Sequence, residues 1–389
     1  MAEPTRIRTT HVGSLPRTPA VNAINLERMA GATVDEAAYE RVVSEAVAEV
    51  VRHQVDAGIS MVNDGEQSKP SFFNYHFGRL SGFELHERPE GAKLPVGALG
   101  FEGERLDHPD FFEGFSRIAG VQAQAPDPSD PPPQDLCCVA PVAWSDFSQV
   151  ERDIANLKTA ADAAGAESVF MTAISPGTYA PLNLYYASEE EYLFALGDAL
   201  SREYAAILDA GFSLQIDAPD LTTEYRLRRI TMDEHLEHMD LCIAAINHAT
   251  RDLPPERVRV HVCWGADEAP HHRDIPLQDI VDRLLGMRPA GLSIPGANGR
   301  HAHEWKVWRD VKLPDDKFLV PGVIDSTTNI IEHPDAVAQR IADYASVVGP
   351  DRVLASIDCG YAYNQVATSV IWAKMRSLAQ GAELASARI

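Results

Sequence analysis

Eight short apolar runs, each ending in polar residues, alternate with helical patterns along a chain of 389 residues. Together they predict an α/β fold: a single (β/α)8 TIM barrel with a long inserted loop and an accessory hairpin. The runs end at His11-Val-Gly-Ser14, Asn63-Asp-Gly-Glu66, Thr172-Ala-Ile-Ser-Pro176, Gln215-Ile-Asp217, His261-Val-Cys263, Leu292-Ser-Ile-Pro295, Val323-Ile-Asp325 and Ile357-Asp-Cys359. Polar side chains at one end of eight successive strands are what such a barrel presents at its C-terminal rim. A ninth run, Cys137-Cys-Val-Ala-Pro-Val142, is expected to form the accessory hairpin outside the barrel.

The elements between the runs support this reading. Residues 33–57 carry apolar positions at helical spacing and stop at Gly58, where the run Ile59–Asn63 begins. Residues 188–210 open with Ser188-Glu-Glu-Glu191, a capping-box pattern, and stop at Gly211 before the run Phe212–Asp217. Such helix-to-strand handovers argue for βα units and a parallel sheet. The whole chain, 1–389, reads as one domain. Only residues 84–135 interrupt the alternation; they are rich in Gly, Pro and Asp and include Ala125-Pro-Asp-Pro-Ser-Asp-Pro-Pro-Pro133. The expectation there is an insertion loop, partly a lid or disordered, with disorder favoured in its second half.

Composition narrows the function classes. The chain is 45% hydrophobic, enough for a large core, and its formal net charge is −23. A negative field of that size disfavours nucleic acid and anionic lipid as partners. Five cysteines, Cys137, Cys138, Cys242, Cys263 and Cys359, are too few and too irregular for a disulfide framework. The first residues carry no apolar signal segment, and no run approaches the length of a membrane span. A reducing cytoplasm is the expected location. The oligomeric state is left open.

The pair His261 and Cys263 closes one apolar run, and Cys359 closes another far downstream. Alternate strand residues share a face, so His261 and Cys263 point the same way. One imidazole and two thiolates suit a zinc site with an open position, the arrangement of catalytic zinc. The competing reading is a core histidine and two buried cysteines acting as small hydrophobes. The distant Asp-Cys-Gly and the sequence around both sites favour the metal.

Six motifs in order resemble the C-terminal catalytic barrel of the cobalamin-independent methionine synthase family. They are His11-Val-Gly-Ser-Leu-Pro-Arg17, Asp64-Gly-Glu-Gln67, Leu214-Gln-Ile-Asp217, His261-Val-Cys-Trp-Gly265, Pro321-Gly-Val-Ile-Asp325 and Asp358-Cys-Gly360. The length fits the single-barrel branch, which also includes epoxyalkane:coenzyme M transferases. The resemblance implies zinc-dependent methyl or alkyl transfer to a small thiol. Homocysteine is the implied acceptor and 5-methyltetrahydropteroyltriglutamate the implied donor, as in methionine biosynthesis. It implies His261, Cys263 and Cys359 as catalytic zinc ligands. It implies Ser14 for the substrate carboxylate and Glu66 and Asp217 for its ammonium, with Asp325 as a further substrate-binding residue. The alternatives are an alkyl transferase using an epoxide or thioether with another thiol, a zinc lyase or hydrolase using metal-bound water, and a non-catalytic thiol or amino-acid binder.

Two positions depart from the family pattern. Pro295 stands where the family has a fourth zinc ligand, a Glu, and proline has no side-chain donor. His301, His303 and Glu304 lie downstream as candidate substitutes. Asp325 is followed by Ser326-Thr-Thr, without the His that in the synthase is proposed to protonate the leaving nitrogen. His271 and His272 are candidate replacements. An amine leaves poorly without an acid. The two departures together predict better activity with a strained epoxide or a sulfonium than with a methyltetrahydrofolate.

Overall fold

The computed structural model describes residues 6–29, 34–72, 75–89, 101–118, 134–178, 180–361 and 366–389. In chain order the elements begin with β1 (Arg8–Thr9), α1 (Pro19–Met29), α2 (Glu36–Asp56), β2 (Met61–Val62), β3 (Leu80–Glu87), α3 (Glu102–Asp107), α4 (Pro109–Ile118) and β4 (Gln134–Trp144). They continue with α5 (Ser148–Ala164), β5 (Ser168–Ile174), β6 (Leu182–Asn183), α6 (Glu189–Asp209), β7 (Ser213–Asp217), α7 (Thr223–Leu227), α8 (Met232–Ala249) and β8 (Val258–His261). The last are α9 (Leu277–Leu285), β9 (Gly291–Ile294), β10 (Phe318–Ile324), α10 (Pro334–Val348), β11 (Leu354–Ile357) and α11 (Thr368–Ser386).

Eight parallel strands lie side by side in the order β1, β11, β10, β9, β8, β7, β5, β2. These are the eight runs expected from the sequence, and helices cover them, so the fold is a single (β/α)8 barrel. Backbone pairing leaves one seam, between β1 and β2, and side chains close it. Thr9 N donates to Ser60 Oγ at 3.2 Å, Ser60 N donates to Thr9 Oγ1 at 3.1 Å, and Thr10 Oγ1 donates to Met61 O at 3.2 Å.

The helices form where the apolar spacing demands them. In α2, Val43, Val47, Val50 and Val51 are all at most 3% exposed and share one face. Burying each contributes roughly 1.5–3 kcal/mol. Asp35 caps the start, accepting from Ala37 N, and Gly58 ends the element with φ +84°. Ser188 caps α6 through Glu191 N, and Gly211 follows it at φ +90°, as the capping-box pattern implied.

The Cys137 run lies outside the barrel, as expected: β4 pairs antiparallel with β3 and parallel with the short β6. Part of the stretch read as loop, 84–135, is regular. Residues 84–87 complete β3, 134–135 begin β4, and α3 and α4 lie between. Their cause is local aromatic packing that a Gly- and Pro-rich composition conceals: Phe112 is 1% exposed and its ring sits 5.6 Å from that of Phe101. Residues 90–100 and 119–133 lie outside the described residues, and with them the expectation of a lid or of disorder. No helix among the described residues is long and apolar enough to cross a membrane.

Candidate metal centre and substrate cavity

His261 is the last residue of β8 and stands in register with Asp217 of β7 and Ser293 of β9. Cys263 follows two residues later. Cys359 lies two residues beyond the end of β11, which β10 and β9 separate from β8. Only the inward curvature of the rim can join them, and it does. The sulfurs of Cys263 and Cys359 are 3.5 Å apart, and the donor atoms of all three residues lie within 4.8 Å of one another. Both cysteines are free thiols.

Asp358 fastens this junction. One carboxylate oxygen accepts from Gly296 N at 2.8 Å and Ala297 N at 2.9 Å. The other accepts from Asn298 N at 2.8 Å and Asn298 Nδ2 at 2.9 Å. It thus ties the residue before Cys359 to the loop after β9. A Cβ at Gly322 would collide with this carboxylate, so glycine is required there. Asp358 belongs to a quoted motif, but its role was not read from the sequence. Its one signal is its place immediately before a candidate ligand.

The electrostatics suit a cation. The Cys359 thiol donating toward Cys263 holds the Cys263 pKa well below the usual thiol range, against the opposing effect of burial and with help from His261. The same contact pushes Cys359 up. Burial opposes charge on His261, but Cys263 beside it prevails and raises its pKa. His261 Nδ1 lies 3.3 Å from Ser293 Oγ, while its Nε2 is buried with no hydrogen-bond partner. A histidine tethered through one nitrogen and bare at the other is poised to ligate. Two sulfurs ~2.3 Å from a tetrahedral ion stand roughly 3.8 Å apart, close to the spacing here. The three residues therefore fit a metal of zinc type.

The other expected residues group around this point to different degrees. Asp217 is 6% exposed; burial pushes its carboxyl up to about 7, with His261 pulling the other way and Glu66 adding to the rise. Gln215 Nε2 donates to Asp217 Oδ1 at 2.7 Å. Glu66, at φ +57°, accepts from Thr172 Oγ1 at 2.8 Å on Oε1, with Lys69 Nζ 3.8 Å away. Its Oε2 is buried and unpartnered, which a bound cationic group would relieve. Thr172 and Lys69 are thus supports that the sequence did not reveal. Ser14 is half-buried beside Gly360, where any Cβ would strike its Oγ. Among the described residues Asp325 does not join the cysteines in the metal-ligating group. Its Oδ1 accepts from Thr327 N and Oγ1 at 2.8 and 2.7 Å, and it lines a rim cavity of about 500 Å³ with Gly265, Asn298 and His271. His11, from the first motif, is structural: fully buried, 2.7 Å from Gln54 Oε1, its pKa lowered by burial to about 3.

The candidate replacements are also placed. Pro295 is buried one residue past the end of β9. His301 and Glu304 bind each other at 2.8 Å, His301 also meets Asp274 at 3.1 Å, and Glu304 accepts from Leu277 N at 2.7 Å. His303 is exposed. Among the described residues none of the three joins the metal-ligating group. His272 faces the insertion, 3.0 Å from Asp107. His271 faces the rim cavity.

A sequence profile described as "Cobalamin-independent synthase, Catalytic domain" matches residues 7–91. Over 356 residues the chain is 25% identical to a 5-methyltetrahydropteroyltriglutamate–homocysteine methyltransferase of Nitratidesulfovibrio vulgaris, and 23% identical to a methionine synthase of Sulfurisphaera tokodaii. The chain is thus similar to members of the cobalamin-independent methionine synthase family along most of its length, and to that family's catalytic-domain profile over residues 7–91. Each of those alignments covers 90% of this chain. They cover 38% of the first relative, so the chain spans well under half its length, and 85% of the second. A B12-independent methionine synthase from Shewanella sp. W3-18-1, solved with selenomethionine, superposes with a TM-score of 0.70 at 18% identity over 98% of each chain. A putative vitamin-B12-independent methionine synthase from Listeria monocytogenes superposes with a TM-score of 0.63 over 97% of this chain and 98% of that one. At such identities these two likenesses speak to the barrel alone.

Proposed function

We propose that this chain is a zinc-dependent methyltransferase that moves a methyl group from a 5-methyltetrahydropteroylglutamate to the thiol of homocysteine. The observation that carries the proposal is the convergence of His261, Cys263 and Cys359 at the barrel rim, from strands that are not neighbours. The names of the sequence relatives support the donor and the acceptor. A zinc ion held by these three residues would keep an acceptor thiol as a thiolate at neutral pH, where a free thiol of pKa about 8.5 is mostly protonated.

The chain's own residues do the rest. Glu66 and Asp217 take the acceptor's ammonium, for which the unpartnered Glu66 Oε2 is placed. Ser14, beside Gly360, takes its carboxylate. Asp325 and the cavity it lines take the donor. Such a reaction needs free thiols and suits a reducing cytoplasm. A second reading, transfer from an epoxide or a thioether to another thiol, is favoured by Pro295 and by the absence of a His after Asp325.

The test is methionine formation, read by mass spectrometry, from zinc-loaded protein, homocysteine and the triglutamyl donor. A strained epoxide and a sulfonium run in parallel. Product from the folate donor supports the first reading; product only from the other donors supports the second. Hydrolysis without transfer, or binding without turnover, would refute both.

A further inference from the structure

The loop after β8 carries a network that the metal centre does not use. His271 has φ +54°, a left-handed conformation that a non-glycine residue holds only when its surroundings fix it. Its Nδ1 lies 2.8 Å from Asp274 Oδ2, and its Nε2 lies 3.2 Å from Asp267 O and 3.3 Å from Asp267 Oδ1. Both ring nitrogens therefore face acceptors, which only the doubly protonated ring can satisfy. Asp274 Oδ2 also meets His301 Nε2 at 3.1 Å. Arg226 braces the two carboxylates, 2.5 Å from Asp267 and 3.7 Å from Asp274, with Glu104 of α3 behind it at 3.1 Å. His271 and His301 both line the rim cavity with Asp325 and Asn298, and of the two the His271 side chain is the more open, at 15% exposure against 3%. It lies close to Gly265, whose N–H donates to Cys263 Sγ at 3.3 Å.

We propose that His271 is the general acid of this enzyme, giving the proton from Nε2 to the amine nitrogen that leaves when the methyl group is transferred. This rests on the methyl-transfer reading and deepens it. The acceptor thiol loses its proton on becoming a thiolate. The new S–C bond forms as the C–N bond breaks, and that electron pair goes to the nitrogen. His271 Nε2 protonates it and is left as a neutral imidazole, its Nδ1–H still donating to Asp274. Solvent entering through the cavity restores the ring, so the net transfer is one proton from thiol to amine. Burial opposes charge on His271, but Asp267 and Asp274 outweigh it and Arg226 does not cancel them, so its pKa rises to about 9. The acid form is thus the resting form at neutral pH. His272, the other candidate, turns to Asp107 and cannot serve the cavity from there.

The test uses the zinc-loaded full chain and two methyl donors. The triglutamyl folate leaves as an amine that needs a proton; trimethylsulfonium leaves as a neutral thioether that does not. His271→Gln should lower kcat with the folate by at least about 100-fold, within the range of general acid catalysis, and alter the sulfonium rate by less than about threefold. Equal losses with both donors, or no loss with the folate, would overturn the assignment. If the variant does not fold, the wild type decides. A normal solvent isotope effect and a fall in kcat above about pH 9 must appear with the folate and not with the sulfonium. A wild type that binds homocysteine but never turns over the folate refutes the methyl-transfer reading itself. Folate turnover indifferent to His271 refutes only the acid.

Discussion

Asp358→Asn isolates the device that joins the two halves of the candidate metal centre. The native carboxylate accepts four hydrogen bonds, two on each oxygen, three of them from the backbone of Gly296, Ala297 and Asn298. An amide presents NH2 to one of these pairs, so two charge-assisted bonds are lost and donor faces donor. At about 1.5–3 kcal/mol each the loss is roughly 3–6 kcal/mol. Burial, which pushes the Asp358 pKa up against the pull of these donors, takes back part of the gain, so the lower end, about 3 kcal/mol, is the expected cost. That is less than the usual total stability of about 5–15 kcal/mol, so the protein should still fold. The released loop should let Cys359 move, and zinc affinity should fall at least about tenfold. Urea unfolding of the metal-free protein gives the first quantity and competition with a chromophoric chelator gives the second. Stability within about 0.5 kcal/mol of wild type, with unchanged zinc affinity, would show that Asp358 does not position Cys359.

Three further outcomes are expected. Asp217→Asn should raise the KM for homocysteine about tenfold or more by removing one partner of its ammonium; an unchanged KM would make this carboxylate structural. Burial opposes charge on His301, but Asp274 and Glu304 lift its pKa from 6.5 to about 9, which corresponds to about 3 kcal/mol of stability. Because the folded value lies above the unfolded one, that stability is fully present below pH 6.5 and is lost as pH rises through 9. His301→Gln should accordingly lower the urea midpoint strongly at pH 6 and much less near pH 9.5, and an equal drop at both would contradict the charge assignment. Pro295→Glu should strengthen zinc binding by adding a fourth protein ligand next to β9; no gain would mean that this position does not face the metal.

The barrel was legible because its signals are local. Each strand announces itself by an apolar run ending in polar residues, and each long helix by spacing and by caps such as Ser188 and Gly211. His261 and Cys263 were legible because alternation along one strand puts them on one face. Joining Cys359 to them took the pattern of motifs, since no spacing rule spans 96 residues. What stayed hidden depends on tertiary contact. Asp358 is one carboxylate among many until three amides converge on it. Thr172 and Lys69 support Glu66 from residues that carry no motif chemistry. His271 and His272 are adjacent in sequence and equivalent there, and only the fold turns one to the cavity and the other to the insertion. Helices α3 and α4 were obscured by the Gly and Pro around them, because their aromatic contacts outweigh propensity.

X-ray absorption at the zinc edge, before and after homocysteine is added, tests the account at its centre. One zinc per chain is expected, with two sulfurs at about 2.3 Å and one imidazole nitrogen at about 2.0–2.1 Å in the resting protein. Homocysteine should bring a third sulfur at a similar distance. Two sulfurs before and two after, with homocysteine bound at saturation, would contradict activation of the thiol at this centre.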